Sequence, residues 1–137
     1  MNNIHLYHTE SLLDIPNTTA IKLENLESIE DSSVDEIYIQ DILDTLPPAQ
    51  QSELLQKIQK KLRKGGFLFV QAPDIKQLAV ALTLDKISVD TAQMVLYKDK
   101  LFVHTAKNTR DILELNDYKI VVQKYINIFE YFIQASL

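Results

Sequence analysis

The spacing of apolar positions changes period twice in the middle of the chain, and each change marks an element. "VDEIYIQ" (34 to 40) alternates valine and isoleucine with polar residues, the two-residue period of a strand. "PPAQQSELLQKIQKKLRKGG" (47 to 66) then sets Leu54, Leu55, Ile58 and Leu62 at helical spacing. Pro47 and Pro48 suit a helix start, lysines and arginine crowd the last turn where the helix dipole favours cations, and Gly65 fits the left-handed position just past the end. "FLFVQA" (67 to 72) follows as an apolar run, which predicts a strand buried on both faces. A strand, helix and strand of this length imply parallel pairing, so the expected core is an α/β sheet.

Downstream, Pro73 ends the strand and "DIKQLAVALTL" reads as a helix capped by Asp74. A second helix is expected from Val89 to Tyr97 and a third from about Ala106 to Leu115. "YKIVVQKYINIFEYFIQASL" reads as two strands joined near Asn127 to Glu130. Upstream the pattern is thinner: "NIHLYH" as a strand, "TESLLD" as a helical turn, "TAIKLEN" as a second strand. No repeat, low-complexity stretch or linker interrupts the chain, and its 137 residues fit a single domain, 1 to 137.

Composition narrows the chemistry. With no cysteine, there is no disulfide framework, thiolate zinc site or cysteine nucleophile. No apolar run approaches the ~20 residues of a membrane span, and "MNNIHLYHTESLL" lacks the basic start and apolar stretch of a signal peptide, so a cytoplasmic location is expected. A formal charge of -5 argues against a general nucleic-acid binder. Charge is segregated, since no Lys or Arg stands between Lys22 and Lys57, and then Lys57, Lys60, Lys61, Arg63 and Lys64 follow closely. His5 and His8 would face opposite sides of a strand and no ligand set, His104 included, has zinc spacing, so no metal site is expected. Ser11, Ser32, Ser33 and Ser52 sit in no nucleophile elbow.

Four ordered segments between Asp31 and Asp74 carry a resemblance: "DSSVDEIY" (31 to 38), "QDILDTL" (40 to 46), "KKLRKGG" (60 to 66) and "FLFVQAPD" (67 to 74). They resemble the acidic loop, strand, helix ending in two glycines and apolar strand of class I S-adenosylmethionine-dependent methyltransferases of the type 11 group. The similarity covers roughly residues 20 to 137, including a tail like the family's closing antiparallel pair. The resemblance implies an abbreviated Rossmann-like sheet, mostly parallel with an antiparallel C-terminal strand pair. It also implies that Glu24 and Gln40 lie on the cofactor side, with Asp41 and Asp44 as catalytic candidates facing the acceptor and Asp41 as the base.

The departures are as informative. Where the family has histidine, glutamate and histidine, this chain has Asp41, Asp44 and Thr45, and Lys64 replaces the proline before the glycines. The family's first strand ends in a glycine-rich turn whose backbone approaches the methionine part of S-adenosylmethionine, whereas "IHLYHTES" has no glycine. The chain holds only Gly65 and Gly66, where average usage would give roughly ten. Only 33 residues precede Val34, against about 30 or more for each strand-helix-strand crossover, so at most one abbreviated unit fits.

These observations predict a methyltransferase-like chain that does not bind S-adenosylmethionine in the ordinary way and acts as a binding or scaffolding partner. Tyr125, Ile126, Ile128, Phe129, Tyr131, Phe132 and Ile133 crowd the tail, and a shortened sheet leaves an edge to pair, so a homo-oligomer or a protein partner such as an active methyltransferase is expected. The alternative is an active methyltransferase on a small-molecule or sugar-like acceptor, its site completed by a dimer or partner.

Overall fold

A computed structural model describes residues 2–7, 16–96 and 102–137. Among these residues six strands form one sheet: β1 (Asn3–Tyr7), β2 (Thr18–Lys22), β3 (Val34–Gln40), β4 (Leu62–Pro73), β5 (Lys119–Tyr125) and β6 (Glu130–Ser136). Among them too are the α-helices α1 (Pro48–Lys61), α2 (Ile75–Thr83), α3 (Val89–Leu96) and α4 (Ala106–Leu115). The strand order is β2-β1-β3-β4-β6-β5. The first four strands pair in parallel, β6 runs antiparallel to β4, and β5 antiparallel to β6. The expected sheet, mostly parallel with an antiparallel C-terminal pair, is therefore present.

In-register pairing lines up one aliphatic face: Ile4 beside Ile37 beside Leu68 beside Ala135, and Leu6 beside Ile39 beside Val70 beside Ile133. Leu54, Leu55 and Ile58 of α1 and Ala106 and Leu113 of α4 close over this face as one core. Right-handed crossover explains the placement. The connections β2 to β3 and β3 to β4 run toward the same side of the sheet, so the 3₁₀ helix Leu23–Ser28 and α1 share a face. Tyr118 Oη donates to the Leu55 carbonyl at 2.7 Å, and the Asn116 backbone carbonyl accepts from Gln59, tying the end of α4 to α1.

Two expectations are corrected. First, the helix ends at Lys61, and β4 already begins at Leu62. Leu62 is extended (φ -69, ψ 135) and pairs with Val34, while Ser32 N and Ser33 N take the carbonyls of Lys60 and Lys61. The glycines thus form a bulge inside β4: the register steps from Val34↔Leu62 to Glu36↔Phe67. Gly65 has φ +82, and a Cβ on Gly66 would stand 2.8 Å from Asp35 O and 2.9 Å from Arg63 O. Second, β4 is buried on one face only. Leu68, Val70 and Ala72 are buried, but Phe67, Phe69 and Gln71 remain partly exposed, because the core helices all cover the other side.

The α4 boundaries agree with the periodicity, and α3 matches to Leu96, Tyr97 lying outside the described residues. Leu23 to Asn25, read as strand, belong to the 3₁₀ helix. The "TESLLD" turn and His8 also fall outside the described residues. Among the described residues no helix is long and apolar enough to cross a membrane.

Candidate functional site

From β1 the chain goes to β2 on one side and later returns to β3 on the other, so the order reverses between β1 and β3. Open α/β sheets take ligands outside the carboxyl ends of the strands at such a reversal. The four residues singled out in the sequence lie along this edge, but in two places.

Glu24 sits in the 3₁₀ helix directly after β2, exposed, with its carboxylate 3.3 Å from Lys22 Nζ. It borders a cavity of about 360 Å³ between that helix and α1, floored by Leu26, Leu46 and Leu54 and rimmed by Glu27, Glu53 and Lys57. Gln40, Asp41 and Asp44 do not line it. Gln40 ends β3 beside Gln71 of β4. Asp41 turns the chain off the strand with φ +55, a left-handed conformation that Asp tolerates better than most residues, and its N–H donates to Gln71 O at 3.0 Å. Asp44, in the 3₁₀ turn Leu43–Thr45, is only 2% exposed.

The charges of Asp41, Asp44 and Asp74 all act on Tyr131. Burial, chiefly, and these three carboxylates push the Tyr131 phenol well above its usual range, while its Oη lies 2.7 Å from Thr109 Oγ1. Asp74 is a structural hub. One carboxylate oxygen accepts from Lys76 N and Gln77 N at the start of α2, the other from Ala106 N at the start of α4 and from Tyr125 Oη, at 2.7 to 3.1 Å. Burial and that bond raise the Tyr125 phenol to about 12. The helix cap expected at Asp74 is present and serves a second helix as well.

His5 and His104 are placed as packing groups. His5 is buried in β1 and His104 lies against Gln51, whose Nε2 also donates to the carbonyls of Leu43 and Leu46; burial lowers both imidazole pKa values. Among the described residues no group of three His, Cys, Asp or Glu could hold a metal ion. The basic run from α1 into β4 is largely matched by the acidic stretch before α1: Lys57 pairs with Glu27, and with Glu53 of its own helix, Lys61 with Asp31 at 2.7 Å, and Arg63 with Asp35. The hydrogen bond from Lys61 holds the Asp31 carboxyl below its ordinary pKa.

Sequence reasoning read Phe67 and Phe69 as core and missed that they join Tyr38 and Phe132 in a partly exposed ring cluster. The signal was the set of glutamines, Gln40, Gln71 and Gln134, recurring beside those aromatics at strand period.

Sheet order, the reversal point and the closing antiparallel pair define the Rossmann-like fold of class I S-adenosylmethionine-dependent methyltransferases, and solved structures agree. The PH0226 protein from Pyrococcus horikoshii OT3 superposes with TM-score 0.68 at 12% identity, over 98% of this chain and 71% of its own. A SAM dependent methyltransferase from Archaeoglobus fulgidus gives 0.61 at 18% identity, over 98% and 75%. An O-methyltransferase family 2 protein from Planctomyces limnophilus, in complex with apigenin, gives 0.58 at 16% identity, over 88% of this chain. The chain spans 35% of the length of that last protein. At such identities the likeness is one of fold. No family model matches the chain, and no curated protein matches its sequence.

The residues do not fit S-adenosylmethionine in the ordinary manner. Both glycines stand in the bulge at the amino end of β4, away from the edge where a backbone cradle would be needed. β1 and β2 pair directly in parallel, and the ten residues 8 to 17 that join them contain no glycine.

Proposed function

We propose that this chain is a methyltransferase-fold protein that does not use S-adenosylmethionine in the ordinary way and acts as a non-catalytic binding or scaffolding partner. The placement of its only two glycines carries the reading. Both serve the β3–β4 bulge, and none is left for the carboxyl edge, where a backbone would have to approach the cofactor closely. Asp74, a buried carboxylate of that edge, holds two helix starts and a tyrosine. Melting the protein with and without saturating S-adenosylmethionine tests this, because a ligand that binds only the folded state raises the melting temperature. No shift is expected; a shift of several degrees would refute the reading.

The cavity beside Glu24 favours a second reading, an active transferase whose site is completed by a dimer or partner. Its place after β2 and its apolar floor suit a flat ring system. Here Glu24 and Gln40 bind the cofactor, and Asp41 and Asp44 face a small-molecule or sugar-like acceptor. A methyl transfer measured with Glu24→Ala and Asp41→Ala decides: loss of activity in either supports this reading, and unchanged activity in both removes the assignment.

A further inference from the structure

The sheet has a second face, opposite the core helices. In-register pairs lay it out: Glu36 beside Phe67 beside Ser136, Tyr38 beside Phe69 beside Gln134 beside Val122, and Gln40 beside Gln71 beside Phe132 beside Lys124. Tyr38 stacks on Phe69 with ring centroids 4.5 Å apart and 10° between planes, Phe67 and Phe132 flank Phe69 at 6.3 and 5.7 Å, and Lys124 Nζ lies 5.3 Å over Phe132. This face has an uncharged aromatic and amide centre, the composition of an interface core, with its charges at the corners and rim.

Those charges are arranged for self-recognition. Glu36 stands on β3 at the amino end of the patch; Lys124 stands on β5, three strands across and four residues along. With ordinary strand spacing and rise, that diagonal measures about 14 Å across and about 13 Å along, and its midpoint falls beside Phe69. A two-fold axis lying between two such faces, perpendicular to the diagonal, sets each Glu36 opposite the other copy's Lys124. The same operation crosses the strands of the two copies at roughly 90°, one of the two ways in which sheets pack face to face.

We propose that this face docks a second copy of the chain in an isologous, orthogonal sheet-on-sheet dimer, with Phe69 and Phe132 at its centre and two Glu36–Lys124 pairs at its corners. The proposal names the partner in the reading above and rests on that reading only for its biological meaning. The four strands of the patch offer roughly 350 Å² per copy, so the interface is of the small size of transient associations and the dimer is weak. Lys119, beside Ser136, falls at one end of the axis and faces its own mate.

The test is the mass of the full chain by sedimentation equilibrium over a concentration series. The native chain is expected to pass from monomer to dimer. Lys124→Glu and Glu36→Lys each weaken the dimer by roughly tenfold or more, because like charges then meet, and the double exchange restores it. Lys119→Gln tightens it. All three are surface substitutions, and circular dichroism checks that each variant is folded. A monomeric native chain at the highest concentration overturns the proposal, as does a double exchange no better than the single ones. Neither result bears on cofactor binding, so the two readings fail separately.

Discussion

The two ends of the parallel strands contrast sharply. At the amino end, Gly65 and Gly66 let β4 bulge against β3, Asp35 pairs with Arg63, and the loop before β3 closes the last carbonyls of α1. At the carboxyl end, where this fold takes ligands, the chain has no glycine, and its buried carboxylate Asp74 binds four donors of the protein itself. Backbone freedom has been kept where the sheet needs it for folding and is missing where a cofactor would need it. On the proposed reading, the fold outlasts the geometry of its usual chemistry because the two depend on opposite ends of the same strands.

Substitutions can break this contrast, the largest effects first. Asp74→Ala leaves Ala106 N, Tyr125 Oη and two α2 amides without their acceptor; a loss of about 4 kcal/mol in urea unfolding is expected. A loss below about 1 kcal/mol would mean that Asp74 is not a structural hub. Gly66→Ala forces a methyl against two backbone carbonyls and is expected to cost about 3 kcal/mol. Gly65→Ala meets open space and carries only the strain of its positive φ, about 1 kcal/mol. Equal costs for the two glycines would contradict the bulge geometry. Tyr125→Phe removes a single bond to Asp74, again about 1 kcal/mol.

The smallest effect is one of pH. Burial lowers the pKa of His5 and His104 below the unfolded value, so the unfolded chain takes up their protons first as pH falls. Their contribution is complete above about pH 6.5 and is lost on acidification through the lowered folded values. Melting temperature should thus fall below about pH 6.5, and His104→Gln should flatten that fall. An unchanged slope in the variant would contradict the burial argument for His104.

Much of the fold was legible because local pattern and tertiary contact agree. The α1 stripe of Leu54, Leu55 and Ile58 is the face that packs on the sheet, and α4 begins and ends where its periodicity does. The end of α1 was misread because Leu62 continues the helical period while its backbone already pairs with Val34, a long-range contact that no local pattern announces. Phe67 and Phe69 were read as core because an apolar run carries no record of which face the core helices cover. The carboxyl edge was partly legible. Asp41 and Asp44 both follow β3 and their charges both act on Tyr131, but Glu24 borders a separate cavity, since the 3₁₀ helix turns it toward α1.

Calorimetric titration of the folded protein with S-adenosylmethionine and S-adenosylhomocysteine meets the central claim most directly. No binding heat is expected even at millimolar ligand. Micromolar binding of either compound would contradict it, and would mean that side chains at the carboxyl edge have replaced the glycine cradle.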